Sequence, residues 1–217
     1  MTETTLSTSA TLRTTGPLQG TVVLCLSGGT GQVRPGVWGA SIEYLVRRLA
    51  PRVPHLGFAE LRYRVRSWRQ MDLCIEDGRA AIDALVAGGA DSVLLIGYSM
   101  GGAVSCSIAD HRAVARVIGL APWLPPELPY TAMRGRHFDI LHGTLDRSLP
   151  GVPGVTPESS RRGFRRIVDL GATGTYQLIR GGGHAIALRG PRNWVVPLPF
   201  ARRWAREVHE LLDTYES

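Results

Sequence analysis

The sequence predicts an α/β protein built on a doubly wound, mostly parallel sheet without a substantial lid domain. Short apolar runs of strand length recur along the chain, and stretches of helical period separate them. One run, Ser92-Val93-Leu94-Leu95-Ile96, ends in Gly97-Tyr98-Ser99-Met100-Gly101-Gly102, a Gly-x-Ser-x-Gly turn between a buried strand and a helix. Strict alternation of the two element types is the signature of parallel strands joined by helical crossovers.

Taken in order, residues 1–10 are rich in Thr and Ser and are expected to be loose, leaving 11–217 as a single domain. Residues 11–14 can form a short strand before the turn Gly16-Pro17-Leu18-Gln19-Gly20. A buried strand over 21–26 runs into Ser27-Gly28-Gly29-Thr30-Gly31. That loop lacks both the Gly-Lys-Ser/Thr of a phosphate loop and the Gly-x-Gly-x-x-Gly of a dinucleotide site. Ile42, Leu45, Val46 and Leu49 mark a helix that Pro51 ends, and 57–65 is the next strand. A helix over 70–87, with Ile75, Gly78, Ile82 and Leu85 on one face, closes at Gly88-Gly89.

Beyond the serine turn, small residues make a helix over 100–110, followed by a strand over 114–120. The proline-rich segment to residue 134 is too short for a lid domain. A strand over 137–141, stopped by His142-Gly143, leads to Asp146. After a helix over 157–170 and a strand over 175–179 comes Arg180-Gly181-Gly182-Gly183-His184. The last helix, 199–214, carries Phe200, Trp204, Val208, Leu211 and Leu212 as an apolar stripe.

Of the 217 residues, 44% are hydrophobic and 20% charged, an ordinary composition for a globular protein. The net charge of +7 comes from arginine alone, since no lysine occurs. The arginines are scattered and no aromatic-interleaved basic stripe accompanies them, which argues against a nucleic-acid partner. Cys25, Cys74 and Cys106 have no metal or disulfide spacing and read as reduced, buried thiols. The sequence shows no secretory leader or membrane-spanning run, so a cytoplasmic location is expected. No ligand spacing points to a metal or a cofactor.

A serine hydroxyl is a weak nucleophile at neutral pH and needs a base, which in turn needs an orienting partner. Ser99, Asp146 and His184 each follow a predicted strand, at the sheet edge where ligands bind, in the order nucleophile, acid, base. Asp139, inside a strand, is the alternative acid; His142 is expected to shape the turn before Asp146. His55, His111, His137 and His209 have no such placement. The Met100 amide, at the start of the helix, and a second amide from Gly29 are the candidate donors to an oxyanion.

These motifs resemble the α/β-hydrolases, in particular small serine esterase- and lipase-like members without an inserted cap. The resemblance rests on Gly97-Tyr98-Ser99-Met100-Gly101-Gly102, on His142-Gly143-x-x-Asp146 with Pro150 after it, and on Gly183-His184, and spans about residues 21–214. It implies that His184 takes the Ser99 proton, Asp146 orients the imidazole, and Met100 and Gly29 hold the oxyanion of a carboxylic ester, thioester or lactone. The chain has Ser27-Gly28 where many such proteins have His-Gly. Trp38, Trp68, Trp123 and Arg66 are candidate substrate contacts, with core packing or solvent exposure as the alternatives. Arg66, with Arg64 and Arg147, is a candidate to meet an anionic group, solvent exposure being the alternative, and Trp194 begins an apolar loop that could cover the pocket or form a partner surface. An acyltransferase, a cyclase or lyase, or a ligand-binding protein on the same fold are the competing functions.

Overall fold

Eight strands form one sheet in a computed structural model that describes residues 1–148 and 154–215. They are β1 (Thr2–Thr5), β2 (Thr11–Thr15), β3 (Gly20–Leu26), β4 (Gly57–Arg62), β5 (Ala90–Tyr98), β6 (Val114–Leu120), β7 (Phe138–Gly143) and β8 (Tyr176–Ile179). Their spatial order is β1-β2-β4-β3-β5-β6-β7-β8. Every pairing from β4 to β8 is parallel, whereas β1 and β2 add antiparallel strands at one edge.

The helices α1 (Ala40–Leu49), α2 (Met71–Ala87), α3 (Met100–Ile108), α4 (Pro157–Asp169) and α5 (Ala201–Asp213) cover both faces of this sheet. Alternation along the strands explains why both faces are apolar. In β5, Val93 and Leu95 pack with Cys74, Ile82 and Leu85 of α2, Val104 and Ile108 of α3 and Ile167 of α4. Leu94 and Ile96 point the other way, toward Ile42, Leu45 and Leu49 of α1 and Trp204, Val208 and Leu212 of α5. Gly78 allows α2 to approach α3, since a Cβ there would lie 2.9 Å from Ile108 Cδ1.

The chain reverses direction across the sheet at β3, which has β4 on one side and β5 on the other. The crevice beyond the carboxyl ends of β3 and β5 is therefore the switch point at which open α/β sheets bind ligands. Residues 121–137, between β6 and β7, contain only the single-turn 3-10 segment Thr131–Met133, and no lid domain is inserted among the described residues.

Several expectations are corrected. Residues 1–10 are not loose: β1 pairs with β2 through four register positions, and Leu6 and Ala10 close the turn by a 2.8 Å backbone hydrogen bond. β7 runs through His142 and Gly143 rather than stopping before them. The stretch after His184 holds a hairpin absent from the sequence reading, β9 (Ala187–Arg189) with β10 (Val195–Pro197), beside α1. Pro150 lies outside the described residues. All three cysteines are free and buried. No described helix is long and apolar enough to cross a membrane.

Candidate active site

Ser99 sits between β5 and α3 with φ 53° and ψ −118°, a left-handed conformation that costs a non-glycine residue on the order of 1–3 kcal/mol. Its surroundings hold it there. A Cβ on Gly97 would strike the Gly101 carbonyl and Ser105 Oγ, and one on Gly101 would strike the Leu26 carbonyl. The Ser99 N–H donates to Leu120 O at 3.0 Å, while Ser99 O accepts from Gly102 and Trp123 at 3.0 and 2.9 Å. The turn is thus hydrogen-bonded to β6 and the loop after it, and packed against the end of β3.

His184 reaches this serine from the loop after β8. Its Nε2 lies 3.0 Å from Ser99 Oγ and its Nδ1 lies 2.7 Å from Asp146 Oδ2. A carboxylate beside Nδ1 requires the proton on that nitrogen, leaving Nε2 with a lone pair directed at the serine hydroxyl. The Tyr98 ring packs 5.3 Å from the imidazole, centroid to centroid. Just beyond, Ser41 of α1 fixes the descending chain: its Oγ accepts from the Ile186 and Ala187 amides at 3.1 and 3.2 Å.

Asp146 is buried in the turn after β7, where Val155 N–H donates to its Oδ1 at 3.0 Å. A second histidine shares the other oxygen. His142, fully buried in β7, places Nε2 3.1 Å from Asp146 Oδ2 and 2.8 Å from Val155 O. Both neighbours are acceptors, so Nε2 carries the proton; its Nδ1 is buried without a partner among the described residues. Burial works to raise the Asp146 carboxyl, but the hydrogen bonds from His142 and then His184 outweigh it and hold the group below its ordinary value.

Gly28 and Gly29 lie against the turn: a Cβ on Gly28 would sit 3.2 Å from Ser99 Cβ, and one on Gly29 would collide with the Met100 thioether. Met100 opens α3, so its amide has no intrahelical acceptor. The serine, His184, Met100 and both glycines line a cavity of about 980 Å³.

Trp38, Trp68, Trp123 and Arg66 all line the same cavity. Arg64 does not; it pairs with Glu76 and Asp77. Arg147 is exposed, and Trp194 stands 64% exposed in the β9–β10 connection instead of covering the pocket. Asp139 is buried beneath Arg116, away from the serine's partners. Sequence reasoning gave His142 a turn-shaping role and missed its contact with Asp146, although its spacing of four residues before that aspartate was a usable signal; it also missed Ser41, which nothing local distinguishes. It also missed the arginines at 13, 47, 62 and 189, whose convergence depends on sheet order. No group of His, Cys, Asp or Glu among the described residues is arranged to hold a metal.

No protein-family model and no curated protein sequence matches the chain. Solved structures do. A sugar hydrolase from Lactococcus lactis superposes with a TM-score of 0.73 at 15% identity, over 99% of this chain and 97% of its own. Est1E from Butyrivibrio proteoclasticus gives 0.68 at 11% identity, over 96% and 95%. A monoacylglycerol lipase from Paleococcus ferrophilus gives 0.61 at 16% identity, over 98% of both chains. With its parallel sheet, its serine turn at the switch point and these full-length likenesses, the chain has the α/β-hydrolase fold.

Proposed function

We propose that the protein is a serine hydrolase that cleaves a carboxylic ester, or a related thioester or lactone, through an acyl-enzyme on Ser99. The observation that carries this reading is the continuous hydrogen-bond chain from Ser99 Oγ through His184 to Asp146, opening onto the cavity. In the first half-reaction, Ser99 Oγ attacks the carbonyl carbon while His184 Nε2 takes its proton. The Met100 and Gly29 amides receive the oxyanion. Collapse breaks the bond to the leaving alcohol, which takes the proton from His184. Water then attacks the acyl-enzyme, gives its proton to His184, and releases the acid as Ser99 is reprotonated.

Asp146 remains charged throughout; it fixes the tautomer and stabilises the transient imidazolium. Three free, buried thiols support a reducing, cytoplasmic setting. The test is labelling with a fluorophosphonate probe and turnover of short-chain p-nitrophenyl esters by wild type, Ser99→Ala and His184→Ala. Labelling and turnover in wild type, lost in both variants, is the expected result. A wild type that is folded but neither labelled nor active would overturn the reading.

A further inference from the structure

The cavity wall outside the triad is strongly cationic. Arg13, Arg47, Arg62, Arg66 and Arg189 line it, against a single lining carboxylate among the described residues, Glu43. Three of these cations already have carboxylate partners. Arg13 makes paired hydrogen bonds to Glu60 at 3.0 and 2.8 Å, and Arg47 and Arg189 reach Glu43 at 2.5 and 2.8 Å. Arg62 donates to Thr11 Oγ1 at 2.8 Å and lies 5.0 Å from the Trp38 ring, whose other neighbour is Arg13 at 4.3 Å. It has no carboxylate among the described residues.

Arg66 is the odd member. It is half-buried, its side chain has no hydrogen bond or ion pair among the described residues, and its Nε is buried without a partner. Burial, and then repulsion from Arg34, pull its pKa down from the ordinary arginine value. Yet its main chain is firmly held beside the Gly28-Gly29 loop. Arg66 N–H donates to Arg34 O at 2.9 Å, Arg66 O accepts from Thr30 Oγ1 at 3.4 Å, and Trp68 N–H donates to Thr30 O at 3.2 Å. Trp68 packs 6.3 Å from Trp123, whose amide donates to Ser99 O. A guanidinium that stays charged, is partly desolvated and lacks a counter-ion is a group whose partner is absent from the described residues.

We infer that the substrate carries an anionic group, a carboxylate or a phosphate, which Arg66 binds in the cavity while Ser99 attacks the ester elsewhere in the same molecule. The inference rests on the hydrolase reading for its chemistry, while anion binding can be measured without turnover. The fork of the guanidinium suits either oxyanion, and the surplus of arginine over carboxylate around it draws such a ligand in.

The test compares mono-p-nitrophenyl glutarate with its neutral counterpart p-nitrophenyl pentanoate in wild type, Arg66→Gln, Arg66→Lys and Arg202→Gln. Arg202 is exposed, so its substitution removes the same charge away from the cavity. Wild type should favour the anionic ester by about 10- to 100-fold in kcat/KM, the range of one charge-assisted contact. Arg66→Gln should erase that preference through KM, Arg66→Lys should restore part of it, and Arg202→Gln should keep it. Independently, Ser99→Ala should bind glutarate or inorganic phosphate, titrated by tryptophan fluorescence, and lose that binding when Arg66→Gln is added; the tighter of the two identifies the anion. Turnover of both esters within about twofold of each other, or a preference that survives Arg66→Gln, overturns the inference and leaves the hydrolase reading intact. Anion binding by a protein that turns over neither ester overturns the hydrolase reading alone.

Discussion

Two buried aspartates, Asp139 in β7 and Asp146 just after it, are 1% and 3% exposed, and each has a histidine at hydrogen-bond distance. Their remaining partners differ. Asp139 receives Arg116 Nε at 2.8 Å, and both the amide and the hydroxyl of Thr175, at 3.0 and 2.6 Å. Arg116 also donates to Leu211 O at 2.9 Å, so this carboxylate ties β6, β7, the approach to β8 and the end of α5 together. Among the described residues Asp146 has no guanidinium; its partners there are two imidazoles and the Val155 amide. A carboxylate neutralised by an adjacent fixed cation holds a fold, whereas one facing imidazoles keeps its charge available to polarise a ring and stabilise it when protonated.

Substitution of each aspartate should separate these roles. Asp146→Asn is expected to lower kcat for ester hydrolysis by about 10³- to 10⁴-fold, because the amide can no longer enforce the His184 tautomer. Its thermal midpoint should move by only a few degrees. Steady-state kinetics and a melting curve on the same preparation check both halves. Asp139→Asn should do the reverse: Arg116 is left buried without its counter-charge, at a cost of about 3–5 kcal/mol in a denaturant titration. The turnover per titrated active site of the folded variant should stay within about twofold of wild type.

His142 supplies an intermediate case. His142→Leu removes one donor from Asp146 but leaves His184 in place, and a loss of about tenfold in kcat is expected, with KM little changed. An unchanged kcat would make His142 a packing residue only. The smallest effect concerns acid stability. The folded Asp146 carboxyl lies below its unfolded value of about 3.9, so it binds fewer protons when folded than when unfolded. Its contribution is therefore fully present above that value and is lost as pH falls through the folded one. Melting curves between pH 2 and 6 should show a shallower acid-side decline for Asp146→Asn than for wild type.

The same pair shows what could be seen in the sequence. The strands and the serine turn were legible because their signals are local: a buried run, glycines at fixed offsets, and a helix of small residues behind them. The order Ser99, Asp146, His184 was legible because each follows a strand end. The choice of Asp146 over Asp139 came from placement alone; the sequence did not reveal the guanidinium that occupies Asp139. His142 was misplaced because β7 runs two residues past the expected end, and that extension depends on pairing His142 and Gly143 with Leu178 and Ile179. The N-terminal strand failed for a similar reason: Thr2–Thr5 has no apolar pattern of its own and is ordered by β2. The β9–β10 hairpin uses three-residue strands, too short for any periodicity.

The serine turn also divides the molecule into a fixed holder and an exchangeable part. Positions 97 and 101 are closed to any larger residue by neighbouring backbone, while the side chain at 99 projects into open cavity. A cysteine or an aspartate at 99 would meet the same histidine, the same strained backbone and the same amides. The group presented to His184 can therefore be exchanged at position 99 without altering the turn, whereas its immediate flanks are closed by geometry.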